Sequence, residues 1–325
     1  MFSSEWLAAR ALAEEQRWLL GADQARACGL NPGDMAAALR RGRARSLYHG
    51  VYLLDPDAGG QVTWEQWCAA ALLAHGHSAC LVGWSGARAA GAEGLPSSDP
   101  SIDVAVVGVG SRHRRRANTG LSDAPGKSAI DGPPIIVRQW SVRPDEVEIA
   151  NGLRVRRAEL SVIDAALTLD RVHALCLFDW AIRTGVHSPQ SLQALAVAMR
   201  RRPGVVHVRE MASLADGRAG SPLESRVRLA CIDADLAPDD LQYPVLDSRG
   251  GVVGYGDLAW LRRRTRPLIG EADGREVHSR LQAVLYDRRR ANEFVTRSCD
   301  IVRFTWSDAL RPVYVQQIVR AALAA

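Results

Sequence analysis

Between Leu19 and Leu54 the chain is punctuated so closely that it admits few folds. The segment ADQARACGL has helical composition and stops at Gly29, and Asn31-Pro32 then offers an N-cap followed by proline at the first helical position. The helix this opens runs through Met35 and Leu39 to Arg41, where Gly42 supplies a C-terminal glycine. Behind it, RARSLYHGVYLLD holds two short β-rich pieces, Ser46–Tyr48 and Val51–Leu53, with His49-Gly50 as the hinge of a hairpin. Helix, turn, helix, hairpin is the order of a winged helix. Its second helix and wing carry Arg40, Arg41, Arg43 and Arg45, where such a module meets the phosphates of double-stranded DNA. The same arginines equally suit a solvated basic face on a small helical domain.

A chain of 325 residues with 47% hydrophobic residues can build two or three packed domains. A formal charge of +5 permits a polyanionic partner without requiring one. The cysteines (28, 68, 80, 176, 231 and 299) are scattered singly with no CxxC pair, which argues against a zinc ribbon or a disulfide framework and fits a reducing cytoplasm. The opening MFSSEWLAARALAEEQRW carries acidic residues and lacks a long apolar core, so no signal peptide is expected. No later run reaches transmembrane length, so no membrane partner is expected either.

The middle of the chain reads as a buried helix from Trp64 to Leu81, a short helix of small residues from Ser85 to Ala92, and strands at Ile102–Val107 and Ile135–Gln139. Between those strands lies SRHRRRANTGLSDAPGKSAIDG. It is a polar, turn-rich loop whose Arg112, Arg114, Arg115 and Arg116 either reach a phosphate backbone or are merely solvated. From Ser161 the pattern turns helical, with Ser188-Pro189 and Ser221-Pro222 marking helix starts, and ADGRAGS, residues 215 to 221, reads as a linker.

The last segment alternates in α/β or α+β order, with strand candidates at Gln242–Leu246, Val252–Leu258, Pro267–Glu271 and Ile301–Phe304. A helix from Pro222 to Ala234 precedes them and another is expected from Arg280 to Val295. Within LIGEADGREVH, Glu271 and Asp273 are two apart, so a continuous strand would point both carboxylates to one face. Two such charges about 4 Å apart repel by roughly 4 kcal/mol at an effective dielectric near 20, which calls for something positive between them. Asp257 ends the preceding strand candidate, and Glu224 sits in the first turn of the helix from Pro222. Convergent carboxylates of this kind suit Mg²⁺ and metal-assisted hydrolysis, with Asp257 and Glu271 as ligands. His278 is then a candidate general acid or base. E-x-D before glycine is also an ordinary turn sequence, and a lone histidine beside it is ordinary too.

Several motifs add a family likeness. GSPLESRVR, GYGDLAW, IGEADGREVH, YDRRRANEF and DIVRFTWSD succeed one another over residues 218 to 310 in a manner that resembles the very-short-patch repair endonucleases and their PD-(D/E)XK relatives. The resemblance implies that Asp257 and Glu271 are the metal-binding acidic pair and that Glu224 is the acidic residue of the first helix. Asp273 stands where many relatives have the lysine of E-x-K, and the branch with an acidic residue there uses histidine in catalysis, which draws attention to His278. Towards the front, GADQARACGLNPGDMAAALRRGRARSLYHGVYLL, WSGARAAGAEGLP, IIVRQW and LRVRRAELSVIDAAL resemble the AbiEi-type antitoxins of type IV toxin–antitoxin systems. That likeness implies a winged helix joined to an α/β domain, repression of its own operon through DNA, and a cognate toxin encoded nearby.

The fold expected is therefore a multidomain α+β or α/β chain. A winged helix would occupy residues 1–60, a mixed α/β and helical middle domain 61–217, and a restriction-endonuclease-like α/β domain 218–325. Two functions are expected: a Mg²⁺-dependent DNA endonuclease, or a DNA-binding antitoxin or repressor whose nuclease-like domain is not catalytic.

Overall fold

The computed structural model describes residues 3–54, 60–96, 101–108, 132–199, 202–246, 250–261, 266–273 and 299–325. It divides into two compact units, residues 1–91 with 96–165 and residues 92–95 with 166–325. The described residues form an α+β architecture of helices and three sheets. No described helix is long and apolar enough to cross a membrane.

The first unit begins with α1 (Ser4–Glu15), β1 (Leu19–Gly21), α2 (Ala22–Ala27), α3 (Pro32–Arg40), β2 (Arg45–Tyr48) and β3 (Val51–Leu53). The strands form an antiparallel sheet in the order β1-β3-β2, so the element order and the sheet order are both those of a winged helix. Local chemistry sets the start of α3. The Asn31 side chain accepts from the Gly33 and Asp34 N–H groups at 2.8 and 3.1 Å, and Asp34 accepts the Asn31 N–H at 2.9 Å, a capping box ahead of Pro32. Arg41 is the C-cap and Gly42 comes next at φ +65, a conformation most residues resist.

Both faces of this small sheet are buried. Leu20 joins Ala9, Ala13, Met35 and Ala38 in a cluster under the helices, while Leu19, Leu47, Val51 and Leu53 join Cys68, Ala70 and Ala71 of the next helix in another. That helix, α4 (Trp64–His75), therefore ties the winged helix to the rest of the first unit. The sequence suggests helix as far as Leu81, but Gly76 at φ +83 ends it and Ala79–Leu81 forms a strand, β4. An apolar run this short and fully buried has no periodicity to distinguish strand from helix.

After α5 (Gly83–Ala89) come β5 (Ile102–Val106), β6 (Ile135–Val137), a 3₁₀ turn (Pro144–Glu146), β7 (Val147–Ala150), β8 (Leu153–Arg156) and α6 (Ala158–Ala166). The sheet order is β6-β5-β4-β8-β7, with β5–β6 and β4–β8 parallel and the other pairs antiparallel.

The second unit opens with helices α7 (Arg171–Arg183), α8 (Pro189–Ala198), α9 (Val205–Leu214) and α10 (Pro222–Ile232). The expected linker at 215–221 is not a free hinge. The Asp216 N–H donates to Asp179 Oδ1 of α7 at 2.8 Å, Ala219 is 1% exposed, and a Cβ at Gly217 would lie 2.6 Å from Ile182 Cγ2. Its glycines and alanines serve close packing, which composition cannot distinguish from looseness. Arg228 of α10 meets Asp179 with Nη2 2.9 and 2.8 Å from the two carboxylate oxygens, both side chains being buried, so α7 and α10 share one polar core.

The remaining elements are β9 (Asp240–Leu246), β10 (Val252–Trp260), β11 (Leu268–Ala272), β12 (Asp300–Phe304), α11 (Trp306–Ala309) and α12 (Pro312–Ala324). The sheet runs β12-β11-β10-β9, with β11 and β12 parallel. Alternation sorts its side chains. Leu258, Trp260 and Leu268 pack with Leu223 and Val227 of α10 and Val315 and Val319 of α12, while Val245, Ala259 and Ile269 pack on Cys299 in a separate cluster.

Candidate functional site

The basic cluster lies at the end of α3 and the turn into β2. Met35 and Ala38 hold the inner side of the helix in the core, and Ala44, 6% exposed, pins the turn. Arg40, Arg41 and Arg43 are exposed and Arg45 is half-buried, so these expected DNA-contacting residues stand together. Arg41 and Arg43 also line a cleft of about 410 Å³ that Glu5 and Asp34 enter, so part of their charge is offset nearby. Arg40 and Arg45 do not line that cleft. The loop arginines Arg112, Arg114, Arg115 and Arg116 lie outside the described residues.

The second cluster is acidic. Glu224, in the first turn of α10, is 7% exposed. The Ser221 hydroxyl caps this helix by accepting the Glu224 N–H at 3.3 Å, and the Glu224 carboxylate reaches back to accept the Gly220 N–H at 2.7 Å. Asp257 does not end its strand as expected, since pairing with both neighbours carries β10 on to Trp260, and it accepts the backbone N–H of Ala272 in β11 at 2.8 Å. Between the two carboxylates lies a side chain that the sequence pattern gave no reason to single out. The Gln242 amide is 3.1 Å from Glu224 Oε2 and 3.5 Å from Asp257 Oδ1.

Gln242 has an unusual backbone conformation within a regular register. β9 and β10 pair at Tyr243↔Gly256 and at Leu241↔Leu258, and Gln242 between them has φ +50. A non-glycine residue in the left-handed region inside a strand costs on the order of 1–3 kcal/mol and persists only where its surroundings hold it. Here the two carboxylates accept its amide hydrogens.

Burial raises the pKa of Glu224, Asp257 raises it further, and the hydrogen bonds from Gly220, Ser221 and Gln242 oppose the rise. The site thus penalises the second negative charge and rewards whatever donor or cation stands beside it. Glu271 and Asp257 lie one position beyond the paired residues Gly270 and Leu258, on adjacent strands. Asp273 behaves differently from the expectation. β11 ends at Ala272, and the Asp273 carboxylate stands 3.8 Å from Arg303 of β12, so its charge is met by an arginine rather than shared with Glu271. His278 and the expected helix 280–295 lie outside the described residues.

Among the described residues no group of three or more His, Cys, Asp or Glu side chains is arranged to hold a metal ion. Mg²⁺ is nevertheless commonly held by one or two carboxylates with water completing the shell. The point between Glu224 and Asp257 is one that an amide donor already finds favourable, and a hydrated cation meets the same requirement. Glu224 and Asp257 are the carboxylates that could share such an ion, and the Gln242 amide stands between them.

No family model matches this chain. Two uncharacterized proteins of Mycobacterium tuberculosis, from different strains, are each 34% identical to it over 130 residues, a match that spans 40% of this chain and 46% of each relative. The chain thus covers about half the length of these curated relatives.

Proposed function

We propose that the protein binds duplex DNA through the end of α3 and the turn into β2. The observation that carries this reading is the coincidence of the β1-β3-β2 winged-helix sheet with Arg40, Arg41, Arg43 and Arg45 standing together at the end of α3 and the turn into β2. The biological role that fits best is a regulator of the antitoxin or repressor kind, with a toxin as its cognate partner. Fluorescence anisotropy with a labelled duplex tests the binding, and no association at low salt contradicts it.

A second reading adds chemistry and is favoured by the Gln242 amide bridging Glu224 and Asp257. In this reading Glu224 and Asp257 hold Mg²⁺, with Glu271 beside them. Bound there, the ion would polarise a phosphodiester and lower the pKa of a water. The chain's own contribution is to bury one carboxylate and to fix the other on the Ala272 N–H. Incubation of supercoiled plasmid and mismatched duplexes with Mg²⁺ or Mn²⁺ decides the matter, comparing the wild type with Glu224→Gln, Asp257→Asn, Glu271→Gln and His278→Ala. Nicking lost in the Asp257 and Glu271 variants supports the endonuclease. Absence of nicking leaves the regulator, and nicking that survives both changes is a contaminant.

A further inference from the structure

Four chain reversals of the first unit converge on one cleft of about 570 Å³. They are the β1–α2 junction at Gly21, the hairpin turn His49-Gly50, the α4–β4 connection at Gly76 and His77, and the β7–β8 turn at Gly152. A volume in the range of about 300–1,000 Å³ is typical of small-molecule sites, which combine an apolar wall with a few placed polar groups. This cleft has both. Leu72 and Leu73 of α4 form an apolar wall, and both are only partly buried. Gly50, Gly76 and Gly152 have φ of +72, +83 and +72, so the turns lack Cβ atoms, and nothing lies within 4 Å of the position a Cβ would take at Gly76.

The charge of the lining is positive. Arg154 is fixed at the cleft by its Nε, which donates to the Ala79 carbonyl at 3.2 Å. The acid in the lining, Asp23, is ion-paired with Arg26. That pair cancels and leaves Arg154, with His49 and His77 as further donors. An apolar wall beside a held guanidinium selects a ligand with an apolar body and an anionic head, because an arginine fork binds carboxylate or phosphate in a directional, charge-assisted way.

We propose that this cleft is a binding site for a small amphipathic anion. The apolar body lies against Leu72 and Leu73, and the head meets Arg154 with His77 beside it. The hairpin turn forms one wall, so occupancy also changes DNA affinity; this coupling rests on the proposed DNA binding, whereas the site does not.

Isothermal titration of the full chain with octanoate, octan-1-ol and octylammonium at pH 7 tests the site. Octanoate is expected to bind saturably to one site, with the alcohol weaker and the ammonium not bound. Arg154→Gln is expected to weaken octanoate about tenfold, roughly the worth of one charge-assisted bond. His77→Glu, an exposed substitution that leaves the core untouched, weakens it in the same direction. No saturable binding of octanoate, equal binding of octylammonium, or octanoate affinity unchanged in both variants overturns the proposal. Duplex affinity is then measured with and without octanoate. A protein that binds octanoate here but binds no DNA keeps the site and loses the DNA reading, while DNA binding indifferent to saturating octanoate removes the coupling.

Discussion

Leu19 and Leu20 are neighbours in β1, and each is fully buried in a different hydrophobic core. Leu20 closes the core beneath α1 and α3, and Leu19 packs with α4 and the middle sheet. The winged helix is therefore half of a larger folding unit. Leu19→Ala and Leu20→Ala should each cost about 2–5 kcal/mol, the usual toll of a buried leucine truncation with its cavity. In urea, both should shift a single transition that covers the whole first unit. A fragment of residues 1–60, which leaves Leu19, Leu47, Val51 and Leu53 without α4, should unfold without cooperativity. A sharp transition in that fragment would show that the wing sheet does not depend on its second core.

The buried pair Asp179–Arg228 gives a second expectation. Ser225 and the Asp216 N–H also donate to Asp179, so removing the arginine leaves a buried carboxylate only partly compensated. Arg228→Met should cost about 3–5 kcal/mol, and adding Asp179→Asn should restore part of it. Equilibrium denaturation of the two variants checks this. A loss below about 1 kcal/mol in the single variant would mean that the charge is reached by water.

Much of the fold was legible in the chain wherever its cause is local. Asn31-Pro32, Gly42 and His49-Gly50 act on their own neighbours, so the bounds of α3 and of the hairpin come from a few residues each. The Asn151-Gly152 dipeptide is an equally strong local signal that the strand pattern left unused. Both residues have positive φ, at 50° and 72°, and they turn β7 into β8. Long-range packing was not legible. β4 reads as helix because its burial comes from strands far away in the chain, and the 215–221 segment reads as linker because Asp179 lies 37 residues before Asp216. At the acidic site, Glu224 and Asp257 stood out as charges. Gln242 did not, since its role depends on a positive φ inside the strand and on which carboxylates the fold brings beside it, neither of which its own chemistry announces.

Gly50 has φ +72 and its missing Cβ would lie 3.5 Å from Ala22 Cβ, an ordinary contact. The cost of Gly50→Ala is then conformational alone, about 1 kcal/mol or a little more. Duplex affinity should fall without global unfolding. Equal affinity together with equal stability would contradict the strained turn.

Glu224 sets a pH dependence whose sign is fixed. Its folded pKa is raised above the ordinary 4.5, chiefly by burial and then by Asp257. From about that value up to the raised one, the folded state binds more protons than the unfolded state, so stability falls as pH rises through this window and stays lower above it. Glu224→Gln should flatten that fall, which a series of melts from pH 4 to pH 8 would record. If the pair holds Mg²⁺, adding the ion should raise the wild-type Tm by mass action, and Asp257→Asn should abolish the rise. An unchanged pH profile in Glu224→Gln would place the proton-linked cost elsewhere.

The DNA-binding reading is most directly tested by the salt dependence of duplex affinity. Each phosphate contact contributes about −0.9 to the slope of log K against log salt, so the double change Arg40→Ala and Arg41→Ala should flatten the slope by about two units while leaving the fold intact. A slope that is the same in the wild type and the double variant would contradict binding through the end of α3.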